Sequence, residues 1–213
     1  GPSMGEYFAW KMFGGGNEIQ QRIYASHNIK QMDCFAIGPE TSGWFKEPIE
    51  DLEQLRGLKM CFFGLGARVM QKLGVSTQLL AGGDIFPALE KGVIDATEFS
   101  MPAMDIKYGF YQIAKNNYFP GWHQQVSISQ LLINMDFWNS LPDNYQAMLE
   151  IACGDSIQHT YAETEYVNPF AMVEMGEKYG VHTRRWRDDQ IAVFENASQE
   201  VVDEDTAADP LFK

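Results

Sequence analysis

The chain has 213 residues, a formal net charge of −13 and a hydrophobic fraction of 45%, enough for one large domain or two small ones. The acidity argues against nucleic acid and against an anionic membrane surface, since both call for clustered Lys and Arg. No apolar run approaches membrane-spanning length. Gly1-Pro2-Ser3 ahead of Met4 reads as an expression scar, and no signal-peptide pattern follows it. Cys34, Cys61 and Cys153 form no CxxC pair, which argues against a zinc site or a thioredoxin-like dithiol. One disulfide remains open, and buried free thiols are the expectation.

In chain order, "GEYFAWKMFG" (5–14) is an aromatic-rich segment ending in a glycine run, after which Asn17 caps a helix to about His27. "IKQMDCFAIG" (29–38) reads as a strand closed by "GPETSGWF", a turn-rich loop with exposed-type aromatics. Residues 47–57 suit a short helix stopped by Gly57, 58–64 a strand, and 67–74 a short helix ended by Gly74. The pattern repeats with a strand at 76–81, a loop and helix at 82–92 and a strand at 93–100. There Asp84 is placed to cap, Pro87 falls in the first helical turn and Gly92 ends the helix. A helix over 105–119, a long strand over 125–135, helix over 137–180, a strand at 181–186 and a last helix over 188–206 follow. The chain closes on an acidic helix end followed by Pro210. Short strands alternating with short helices predict an α/β fold with a mainly parallel sheet flanked by helices, plus a helical C-terminal part.

No nucleophile elbow, phosphate loop or HExxH is present. Gly64 and Gly66 fall short of a dinucleotide fingerprint. His123, after Trp122 in "FPGWHQQ", reads as a packed histidine rather than a catalyst. Cys61 as a nucleophile lacks any positioned base. More informative are polar and aromatic residues at strand ends: Glu40 with Trp44 and Phe45, Cys61, Glu98 with Phe99, and Trp122 with Gln124. Strand C-terminal ends on one edge of a parallel sheet converge on one crevice. Two carboxylates and an amide there suit a hard cation such as sodium or calcium, which could hold an organic acid. The same residues also read as exposed loop acids with core aromatics, and pattern alone leaves both readings open.

The segments "DLEQLRGLKMCFFGLGARVMQKLGVSTQLLAGGDIFPALEKGVIDATEFSMPAMD" and "YFPGWHQQ" closely resemble solute-binding proteins of tripartite ATP-independent periplasmic (TRAP) transporters, in the branch that binds 2-oxo acids and related carboxylates. The resemblance implies a periplasmic-binding-protein-like (type II) fold, no enzymatic activity, a membrane permease as partner and a periplasmic location. Carried over by position, it implies ligand contacts at Cys61, Glu98, Phe99, Trp44 and Trp122, and metal contacts at Glu40, Glu98 and Gln124. The family places at position 61 an arginine that forks onto the substrate carboxylate; a thiol offers neither its fixed charge nor its paired donors. Residues 4–213 then read as one α/β domain matching the second lobe and part of the first, truncated at both ends. Tyr7, Phe8, Trp10, Trp44, Phe45 and Trp122 would then lie near a face a first lobe normally covers, which implies a homodimer with 5–13 as its arm. A stand-alone interaction module derived from such a lobe is the alternative function.

Overall fold

Short strands joined by helices through tight glycine turns shape most of the chain in a computed structural model that describes residues 2–209. In order these are α1 (Met4–Phe13), α2 (Gly16–Ala25), β1 (Ile29–Ile37), β2 (Gly43–Phe45), β3 (Lys59–Cys61), α3 (Gly64–Lys72), β4 (Ser76–Gln78), α4 (Gly82–Glu90), β5 (Ala96–Thr97), α5 (Pro102–Tyr108), β6 (Asn116–Tyr118), β7 (Ser127–Asn134), α6 (Met135–Ser140), α7 (Asp143–Tyr179), β8 (His182–Arg184) and α8 (Asp188–Ala208). The described residues divide into two compact units, one formed by 2–39 with Gln124–Val167, the other by Glu40–His123 with 168–209. Pro210 lies outside the described residues.

In the first unit, β1 pairs antiparallel with β7 over their whole length. The aromatic segment expected to act as a dimer arm is α1, capped by Ser3, whose side chain accepts from the Glu6 amide. It packs on its own unit: Lys11 is buried against Asp33 at 3.1 Å, and the Tyr7 hydroxyl donates to Asp33 at 2.9 Å. Cys34 on β1 is bridged to Cys153 on α7, which corrects the expectation of free thiols; only Cys61 is free. The bridge closes a loop of 119 residues, so it limits the unfolded chain strongly. Replacing both cysteines by serine is expected to lower stability by about 2–4 kcal/mol in a urea titration, with dithiothreitol giving the same loss in the unaltered protein.

The second unit carries a six-stranded sheet in the order β4-β3-β5-β2-β6-β8. β3 runs parallel to β4 and β5, and β6 parallel to β8; only β2 runs antiparallel to its neighbours β5 and β6. Two apolar clusters flank the sheet. One joins Phe45, Met60, Tyr118, Trp186 and Phe194; the other joins Trp44, Cys61, Ile85, Phe110 and Met175. β2 was expected to be loop, because "SGW" carries turn signals. Gly43 supplies the reason it is strand: its φ of +141° suits glycine, and a Cβ there would lie 2.7 Å from Met60 and 3.0 Å from the Thr97 carbonyl. The helix expected over 105–119 is instead α5, ended by Gly109 in the left-handed region, a 3₁₀ turn and β6. The helix expected over 47–57 is reduced to a 3₁₀ turn at Leu52–Leu55. Asp84 does not cap α4, whose N-cap is Ala81, and Pro87 falls past its first turn.

Candidate cation site

Three chain segments of the second unit are tied together by backbone hydrogen bonds. The loop before β2 is held by the Thr41 amide on the Ser100 carbonyl (2.9 Å) and the Ser42 amide on the Tyr118 carbonyl (2.7 Å). The Gly121 amide donates to the Glu40 carbonyl at 2.7 Å, an approach a side chain at 121 would obstruct, since its Cβ would lie 2.8 Å from that oxygen. The Glu98 amide donates to the Cys61 carbonyl at 2.9 Å, just past the ends of β3 and β5. The Ser42 hydroxyl accepts from the Trp186 indole (2.9 Å) and the Trp122 amide (3.2 Å).

This lacing assembles Glu40, Glu98 and His123, whose donor atoms all lie within 4.8 Å of one another, with both glutamates buried. Glu98 is 2% exposed, and its Oε1 lies 3.7 Å from His123 Nε2. Neither Glu98 oxygen makes a hydrogen bond of good geometry. Burial pushes its pKa up to about 7, with the nearby Glu40 carboxyl offsetting part of that. A carboxylate so placed has only the nearby Glu40 and His123 for company, and dry carboxylates are ordinarily paired or bound to a metal. Two carboxylates and an imidazole that fit within one coordination sphere suit a cation. The sequence reading named Glu40 and Glu98 but gave the third place to Gln124 and treated His123 as packing. Gln124 lies in the first unit, where its amide donates to Ser127 at 2.7 Å. His123 does pack edge-on against Phe62, at 5.0 Å between centroids, and belongs to the donor cluster as well.

The other expected contacts divide. Trp44 and Phe45 are core residues with almost no exposure, so neither meets water as the dimer expectation required. The Trp44 indole donates to Asp105 at 2.7 Å. Phe99 packs on Tyr108 at 4.4 Å, and Trp122 stacks on Phe194 at 4.8 Å with its indole nitrogen buried and without a hydrogen bond. Cys61 is buried beside Thr97 on β5; burial pushes its thiol pKa up, so it supplies no charge. Asp105, absent from the sequence reading, is fully buried.

The chain belongs to the family of bacterial extracellular solute-binding proteins, family 7 (DctP), whose model matches residues 8–209. A monocarboxylate 2-oxoacid-binding periplasmic protein of Nostoc sp. is 40% identical over 147 residues, which are 69% of this chain and 40% of that protein. Among solved structures, a TRAP transporter solute-binding protein from Bordetella bronchiseptica with calcium and picolinate matches at TM-score 0.94 and 33% identity, covering all of this chain and 63% of the other. One from Colwellia psychrerythraea with calcium and pyruvate matches at 0.94 and 30%, covering 100% and 65%. One from Pseudoalteromonas atlantica with sodium and pyruvate matches at 0.93 and 28%, covering 100% and 64%. The chain thus spans less than two thirds of these relatives' lengths. The family is one of solute-binding proteins of transporters rather than enzymes.

Proposed function

We propose that the chain is the ligand-binding part of a TRAP-type solute-binding protein that takes a small 2-oxo or 2-hydroxy carboxylate together with sodium or calcium, and passes it to a membrane permease. The observation carrying this reading is the buried cluster of Glu40, Glu98 and His123, whose donor atoms lie within 4.8 Å of one another. A cation there would supply the positive charge that a carboxylate ligand needs in a site otherwise lined by acids. Cys61, Phe99 and Trp122 are proposed to border the ligand. Trp44 acts from beneath, through Asp105. A periplasmic location fits the Cys34–Cys153 bridge, because disulfides persist in oxidising compartments. We also propose a homodimer, with α1 as its arm, where Trp10, Met12 and Phe13 are exposed; light scattering giving twice the 24.2 kDa chain mass is the expected result.

Calorimetry with pyruvate tests the reading. Binding is expected with calcium or sodium and lost with chelator in sodium-free buffer; silence in every condition overturns it. Because position 61 lacks a fixed charge, Cys61→Arg is expected to tighten pyruvate roughly 10- to 150-fold, in line with about 1.5–3 kcal/mol for a charge-assisted pair.

A further inference from the structure

Asp105 lies on α5, is fully buried and carries no lysine or arginine within salt-bridge distance among the described residues. Its Oδ2 accepts from the Trp44 indole (2.7 Å) and from the Thr41 hydroxyl (3.1 Å), while its Oδ1 is buried without a hydrogen bond. Thr41 is the residue next to Glu40. The Thr41 amide is also held by Ser100, two residues from Glu98. Asp105 thus grips the stretch that carries one member of the donor cluster. It is also close enough to both glutamates to interact with their charges.

We propose that Asp105 is a positioning residue of the cation site: it fixes the Glu40 loop through Thr41 and Trp44 and, at alkaline pH, adds a third buried negative charge, which biases the site toward a divalent over a monovalent cation. This rests on the reading that Glu40, Glu98 and His123 hold a cation. Every buried negative charge near an ion acts on a divalent cation with twice the energy it exerts on a monovalent one, and a dry site screens that difference weakly. The need is greater because Cys61 is neutral and, among the described residues, no lysine or arginine lies within salt-bridge distance of Glu98 or Asp105; His123 lies 3.7 Å from Glu98.

Asp105→Asn keeps an oxygen to accept from Trp44 and Thr41 but removes the charge. Titrations of calcium chloride and of sodium chloride at pH 8.5, each without organic ligand, give the two affinities and their ratio. For Asp105→Asn the calcium-to-sodium affinity ratio is expected to fall at least about tenfold, with the circular dichroism spectrum kept. Trp44→Phe, which removes one donor and no charge, is expected to weaken both ions alike and leave the ratio in place; it carries the test should Asp105→Asn fail to fold, and a shifted ratio there overturns the proposal. An unchanged ratio in Asp105→Asn overturns the role of Asp105 while leaving the cation reading standing, provided Glu98→Gln loses both ions. Wild-type protein that binds neither ion overturns both.

Discussion

Glu98→Gln is expected to weaken calcium binding roughly 10²- to 10³-fold and, with it, the binding of pyruvate, while leaving the fold at least as stable as before. The side chain is 2% exposed, and its oxygens make no good hydrogen bond with the protein. Desolvation outweighs what Glu40 and His123 return to its charge, so that charge is a net cost to the empty protein. Glutamine has nearly the same shape and removes that cost, so the melting temperature should hold or rise. A cation that enters the altered site loses one of two buried counter-charges. Leaving a buried charge without its partner costs about 3–5 kcal/mol, which sets the expected loss of affinity. The opposite signs of the two effects separate a binding residue from a packing residue: a glutamate kept for stability would lower the melting temperature when replaced, and leave calcium affinity alone.

The ion-free protein should lose stability as pH rises from about 5 to 8, and calcium should remove that loss. Burial raises the Glu98 pKa from 4.5 to about 7, and that of Asp105 from 3.8 to about 8. Both are raised above their unfolded values, so the folded state holds more protons than the unfolded chain between those limits. Stability contributed by these groups is complete below pH 4 and is lost as pH climbs through the folded values. For Glu98 alone, the rise from 4.5 to about 7 corresponds to about 3 kcal/mol. A cation competes with the protons, so its affinity should fall at acid pH and its stabilisation should grow above pH 7. Melting curves at pH 5.5, 7 and 8.5, with chelator or with calcium, check both signs. Parallel pH profiles in the two series would show that no cation meets these carboxylates.

The alternation of short strands and helices was legible because each β–α unit carries its own punctuation, such as Gly74 and Gly92 at positive φ after α3 and α4. β2 and β6 were not. Each is three residues long, with Gly43 opening one and Asn116-Asn117 filling the other, and both exist because they pair with each other. Pairing across 73 residues, as between Trp44 and Asn117, overrides local preference and leaves no trace in a short window. The same holds for Cys34 and Cys153, whose partnership spacing alone does not reveal.

Within the site, Glu40 and Glu98 were readable as acids beside strand ends. His123 was not, because one histidine beside a tryptophan most often marks packing, and it does pack on Phe62 as well. Asp105 stood at the first position of an expected helix, where an acid reads as an ordinary helix-start residue. Its meaning depends on Trp44, which the sequence suggested for a cleft wall and the fold spends on holding that carboxylate.

The most direct test is diffraction from crystals grown with manganese in place of calcium, since its anomalous signal locates an ion without reference to any model of the site. A single peak within coordination distance of Glu40, Glu98 and His123 is the predicted result. A protein that binds manganese with the peak elsewhere, and with these three side chains closed on one another, would contradict the account.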